Sequence, residues 1–160
     1  MARRPQELLH LLTRVERLAV RRVQSVLDEF ECSVDAWRVL DLLSDGQGHN
    51  MTALADHAFL SAPGLTKLMD RLVGQNLVYR RVDPADRRRV LARLTPRGKQ
   101  RWQLLAREVR ADWRDLERLP AGEELDDLLA QLAEALEGRP GIDPARVTTG
   151  PARKAVGRAR

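Results

Sequence analysis

Cysteine is almost missing: Cys32 is the only one in 160 residues, which excludes an internal disulfide and a Cys-rich zinc module. Long apolar runs are missing as well, since no stretch approaches the ~18 uncharged apolar residues that span a bilayer. The start, MARRPQELLHLL, carries Glu7 and no small-residue cleavage site. A soluble cytoplasmic protein with no membrane partner is therefore expected. Catalytic signatures are lacking too. There is no Gly-x-Ser-x-Gly, no His-Glu-x-x-His and no phosphate loop, and Gly46-x-Gly48 lacks the third glycine and preceding buried strand of a dinucleotide site. His10, His49 and His57 are isolated, without metal-ligand spacing. The expectation is a protein that is not an enzyme and that uses no cofactor and no metal.

Charge, by contrast, is plentiful and unevenly placed. The net charge of +5 suits an anionic partner, nucleic acid or membrane surface. Residues 138–160 hold six basic residues against Asp143, a net of +5, so residues 1–137 are neutral only on average. From Ser61 to Arg101 eleven Lys or Arg face Asp70, Asp83 and Asp86, whereas Pro120 to Glu137 has six acids and no base. The first portion is suited to meet phosphate and the second to avoid it.

Apolar periodicity organises the rest. From Glu7 to Phe30, Leu8, Leu11, Leu12, Val15, Leu18, Val23, Val26 and Leu27 recur at helical spacing, which predicts a long amphipathic helix starting just after Pro5. A second helix is predicted from about Val34 to Leu43, with Ser33 or Asp35 as cap, ended by Asp45-Gly46. A third, MTALADHA, follows Asn50 or Thr52 as cap, and a tight turn at Ala58 to Leu60 leads to a fourth capped by Ser61. That fourth helix has one apolar stripe of Leu65, Leu68, Met69, Leu72 and Val73, and an opposite face of Ala62, Thr66, Lys67, Asp70 and Arg71. β-rich runs at 77–82 and 90–95, joined by Asp83-Pro84-Ala85-Asp86, predict a hairpin. Thr95 and Pro96 then start a long helix with Trp102, Leu105, Val109, Trp113 and Leu116 inward, and a last helix runs from about Glu123 to Glu137.

The fold class that emerges is mainly α with a small β-hairpin wing: a winged helix-turn-helix plus long N- and C-terminal dimerisation helices. The expected divisions are 1–33 for N-terminal dimerisation, 34–95 for the DNA-binding lobe, 96–137 for C-terminal dimerisation and 138–160 for a basic disordered tail. The flanking helices are too apolar on one face for a small lobe to cover, so they need one another and a second copy of the chain.

A duplex partner follows from the order of the elements. The fourth helix offers Ser61, Ala62, Pro63 and Gly64 as a close-approach end and Thr66, Lys67 and Arg71 as contacts in a major groove. On the hairpin, Arg81, Asp86 and the run Arg87, Arg88, Arg89 form the wing set. Three adjacent guanidiniums repel unless an anion sits among them, and a narrow minor groove offers the strongest negative potential.

Asp86, Arg88 and the pair Leu94-Thr95, together with LTKLMDRLVGQNLVYRRVDPADRR, resemble the wing and recognition-helix pattern of the MarR family. The likeness runs from about Gln6 to Glu137, with Asn76-Leu77 departing from the glycine common before the strand. The resemblance implies a homodimeric regulator, commonly a repressor, whose recognition helices enter successive major grooves of a pseudo-palindrome. It also implies Arg88 in the minor groove with Asp86 orienting it, and a small aromatic or anionic effector, for which His10, Arg14 and Trp37 are the candidates. Redox sensing is disfavoured at Cys32, which follows the first helix and has Glu29, Glu31 and Asp35 nearby to raise its pKa. The alternative function is a winged-helix protein-interaction adaptor with only non-specific DNA binding.

Overall fold

Local capping codes set the boundaries of the helices. Pro5 occupies the first turn of α1 (Pro5–Asp28), where its missing N–H costs nothing because that donor has no intrahelical partner. Gln24 then fastens the end of α1 to the next helix: its Oε1 accepts from Val34 N at 3.0 Å, and its Nε2 donates to Asp28 Oδ1 at 2.6 Å and to Cys32 O at 3.0 Å. Of the two residues expected as cap for α2 (Val34–Leu43), Ser33 performs the role, accepting from Ala36 N at 3.1 Å. Asn50 rather than Thr52 caps α3 (Met51–Ala58), accepting from Ala53 N at 2.9 Å.

This computed structural model describes residues 4–117 and 122–137. The chain divides into two compact units, Met1–Arg114 and Asp115–Arg160. In the first, Phe59 with φ 56° turns the chain from α3 into α4 (Ala62–Gly74), which Ser61 caps through Gly64 N. Leu65, Leu68, Met69 and Leu72 are buried along α4, packed with Leu27, Val39, Leu40, Leu43 and Leu54 in one core. Val73, placed in that stripe by the sequence, is 40 % exposed: at one residue past Leu72 it has rotated off the inward arc.

β1 (Val78–Val82) and β2 (Val90–Leu94) pair antiparallel, Val78 opposite Leu94 and Val82 opposite Val90. His49 adds a one-residue bridge to the far side of β2, its N–H donating to Ala92 O at 3.1 Å and its carbonyl accepting from Ala92 N at 2.8 Å. The sequence offers only a turn at that point.

Thr95 joins the hairpin to α5 (Pro96–Glu117) and is buried. Its Oγ1 accepts from Gly98 N at 2.9 Å and donates to Asn76 O at 2.7 Å, while its own N–H donates to Leu77 O at 3.0 Å. A Cβ on Gly98 would lie 1.9 Å from Leu77 O, so only glycine lets α5 start this close to the α4–β1 corner. At that corner Asn76 adopts φ 56°, the left-handed conformation for which glycine is common.

Leu105 and Val109 bury the inward stripe of α5, with Trp102 and Trp113 half-buried beside them. The side chain of Leu116 lies outside the described residues, as do the expected turn at 118–121 and the basic tail of 138–160. α6 (Gly122–Glu137), in the second unit, exposes Leu125, Leu128, Leu129 and Leu136. α1 exposes Leu8, Leu9, Leu11, Val15 and Leu18, with Leu9 as open as 66 %. Among the described residues no helix is long and apolar enough to cross a membrane.

Candidate nucleic-acid interface

The Ser61 cap fixes the open end of α4. Ser61, Ala62, Pro63 and Gly64 are all exposed, so the first turn, in which Ser61 Oγ takes the Gly64 N–H and Pro63 has none, presents a surface with little side-chain bulk. Thr66 and Lys67 are exposed one turn later. The Thr66 hydroxyl donates to Ala62 O at 2.9 Å, so what remains for a partner is its acceptor capacity and its methyl. Arg71 is exposed but lies further along, where it lines a cleft with Cys32.

Asp86 shapes the wing. Its Oδ1 accepts from the Arg88 backbone N at 3.0 Å, and its carbonyl accepts from Arg89 N at 2.9 Å, closing a turn that is completed by Asp83 N donating to Arg89 O at 2.8 Å. Asp86 thus holds Arg88 by its main chain, and no hydrogen bond or ion pair joins the carboxylate to the Arg88 guanidinium. Arg87, Arg88 and Arg89 are exposed, and among the described residues none of them is paired with a carboxylate. Arg81 is exposed on β1, opposite Leu91.

One link between helix and wing was not legible as a site. Arg80 Nη2 on β1 bonds Asp70 Oδ1 on α4 at 2.8 Å, with both side chains partly in solvent. The pair ties α4 to the first strand of the hairpin; its only sequence signal is opposite charge at a ten-residue spacing across a helix-to-strand corner.

His10 and Arg14 are exposed on α1, and Trp37 is half-buried on α2. A cleft of about 530 Å³ in the first unit has none of the three in its wall. Trp37 does carry a buried indole Nε1 that has no hydrogen-bond partner among the described residues, as does Trp113, whereas Trp102 Nε1 donates to Asp41 Oδ1 at 3.0 Å. The Cys32 thiol is raised above its ordinary value by burial, partly offset by the Arg101 and Arg71 guanidiniums. The direction matches expectation but the cause does not: burial acts, not Glu29, Glu31 or Asp35.

A helix-turn-helix with an open second helix, followed by a hairpin whose arginines have no carboxylate partner among the described residues and which His49 joins by a one-residue bridge, defines a winged helix-turn-helix. Residues 33–89 match the MarR family model. The regulator FarR of Neisseria gonorrhoeae, described as an HTH-type transcriptional regulator, is 28% identical over 126 residues, covering 77% of this chain and 86% of its own. AbsC, a MarR family transcriptional regulator from Streptomyces coelicolor, superposes with a TM-score of 0.70 at 28% identity over 87% of this chain and 99% of its own. CouR from Rhodococcus jostii RHA1, solved bound to p-coumaroyl-CoA, superposes with a TM-score of 0.70 at 25% identity over 83% of this chain and 93% of its own. Over residues 33–89 the chain thus matches the MarR family, and over most of its length it is similar to MarR-family winged-helix transcriptional regulators.

Proposed function

We propose that two copies of this chain read a pseudo-palindromic DNA site and repress by occupying it. Each α4 enters a major groove through Ser61, Ala62, Pro63, Gly64, Thr66 and Lys67, with Arg71 toward phosphate. Each wing places Arg88 in the adjoining minor groove, with Arg81, Arg87 and Arg89 on the backbone. The observation that carries the reading is the exposed, small-residue end of α4 in one lobe with an unpaired arginine triplet on a turn pinned by Asp86. Segments 1–33 and 96–137 flank the 34–95 lobe as dimerisation segments, and the apolar residues open on α1 and α6 are what the second copy covers. Repression is the sign that the family resemblance implies.

A small aromatic or anionic effector is the second part of the proposal. Trp37, with a buried indole N–H lacking an acceptor among the described residues, is the donor in this chain that supports it, and His10 and Arg14 would join it from α1. CouR, with its bound p-coumaroyl-CoA, supports the class of ligand. The test is selection of bound sequences from random duplexes, followed by a screen of small aromatic acids for release of the selected site. A selected palindrome whose binding is relieved by an acid, with Trp37→Phe blunting the response, supports both parts. Recovery of no preferred sequence favours the adaptor reading, and indifference to every acid removes the effector.

A further inference from the structure

The turn between α3 and α4 carries a side chain that the fold itself does not need. Leu60 N donates to Ala55 O at 2.9 Å and Phe59 N to Asp56 O at 3.2 Å, the hydrogen-bond pattern that closes a helix through one left-handed residue, ordinarily glycine. Here that residue is Phe59, at φ 56° and ψ 41°. A bulky side chain is strained in this conformation. Its ring is also left 79 % exposed, more open than any other large apolar side chain among the described residues. Glycine would avoid both costs and close the turn equally well. Strain and an unburied ring at one position are a reason to look for a use outside the protomer.

A cation stands beside the ring. The Arg38 guanidinium, brought by α2, lies 5.3 Å from the Phe59 centroid. Its ion pair with Asp35 is long, 3.9 Å, which leaves its fork of N–H donors with capacity for an anion. The location is equally informative. Phe59 is two residues before the Ser61 cap, so the two Cα atoms are no more than about 7 Å apart. The Arg80–Asp70 pair ties the hairpin to the other half of α4, so ring and wing stand toward opposite ends of that helix.

A DNA strand alternates an apolar sugar with an anionic phosphate, and Phe59 with Arg38 offers an apolar ring and a cation side by side. We propose that this pair is a further duplex contact: the Phe59 ring packs on a deoxyribose bordering the groove that α4 enters, and Arg38 bonds the adjoining phosphate. The contact rests on the DNA reading above and extends it to the end of α4 away from the wing. Phe59 and Arg38 fix position along the strand and read no base.

The test uses the full chain on a selected duplex. Phe59→Gly relieves the strain, so its melting temperature should equal or exceed the parent's, yet it should bind about tenfold more weakly, the order expected when roughly 60 Å² of ring no longer leave water. A purely structural role would move stability and binding in the same direction. Phe59→Tyr should restore most of the affinity. Arg38→Gln should make the salt dependence shallower by about one unit per protomer, whereas Phe59→Gly, which removes no charge, should leave it near the parent's. Replacing phosphates one at a time by neutral methylphosphonates should reveal one position per half-site that weakens the parent and not Arg38→Gln. Parent-like binding by Phe59→Gly, a melting temperature lowered in step with its affinity, or the same methylphosphonate profile in parent and Arg38→Gln would overturn the contact. If Arg88→Ala still weakens binding in that case, the DNA reading stands and this contact alone falls; a parent that binds the selected and a scrambled duplex equally removes both.

Discussion

Replacing Thr95 by valine keeps the volume and shape of the side chain and removes only its hydroxyl. That hydroxyl caps α5 by accepting from Gly98 N at 2.9 Å and holds the α4–β1 corner by donating to Asn76 O at 2.7 Å. Water can replace the second bond, because Asn76 is exposed. It cannot readily replace the first, because Gly98 is buried and packed on Leu77 O. Loss of an N-cap costs about 1 kcal/mol, and a buried N–H left unpaired costs about 1–3 kcal/mol; since the two overlap, about 2–3 kcal/mol is expected. That is a large share of the ~5–15 kcal/mol by which a domain is stable. The assay is urea unfolding at one fixed protein concentration, because association shifts apparent stability by mass action. Thr95→Ser, which restores the hydroxyl, should recover most of the loss. A change below about 0.5 kcal/mol in Thr95→Val would refute the reasoning, since it would mean that Gly98 N finds another acceptor.

Four further outcomes are expected. Asn76→Gly should be neutral or stabilising, and Asn76→Val should lose about 1–2 kcal/mol by thermal unfolding, because a β-branched residue resists the left-handed φ of 56° found there. Asp86→Ala should weaken DNA binding less than Arg88→Ala, which should cost about 1–3 kcal/mol per half-site, because Asp86 acts only on the main chain of the turn. Asp70→Asn releases Arg80; fluorescence anisotropy across a salt series should then show a slope steeper by about one unit, as a cation formerly paired becomes available to phosphate. The pKa of Cys32 is raised by burial above 9.0, so the folded state keeps its proton where the unfolded state loses it. Its contribution is present below the unfolded value and is lost as pH rises through the folded one, so alkaline destabilisation above about pH 9 should be smaller in Cys32→Ser.

Features coded over a few residues were legible in advance. The caps at Ser33, Asn50, Ser61 and Thr95, the hairpin and the order of the helices all follow from short-range patterns. Val73 was misplaced because periodicity sets an arc and not its edge. The His49–Ala92 bridge and the Asp70–Arg80 pair join residues that only the tertiary fold brings together. The same is true of the cleft: Cys32, Arg71 and Arg97 lie on three separate segments, and nothing in their spacing announces that they share a wall. His10 and Arg14 on α1 and Trp37 on α2 rest on residue type, which identifies chemistry without location.

The central claim is that paired α4 helices and wings read DNA sequence. The direct measurement is binding stoichiometry and affinity on a selected duplex and on its scrambled counterpart, side by side, at about 150 mM salt. The account predicts two protomers per selected duplex and a preference over the scrambled duplex of about 10³ or more, most of it lost in Arg88→Ala. Equal affinity for the two duplexes, or a single protomer on the selected one, would contradict it.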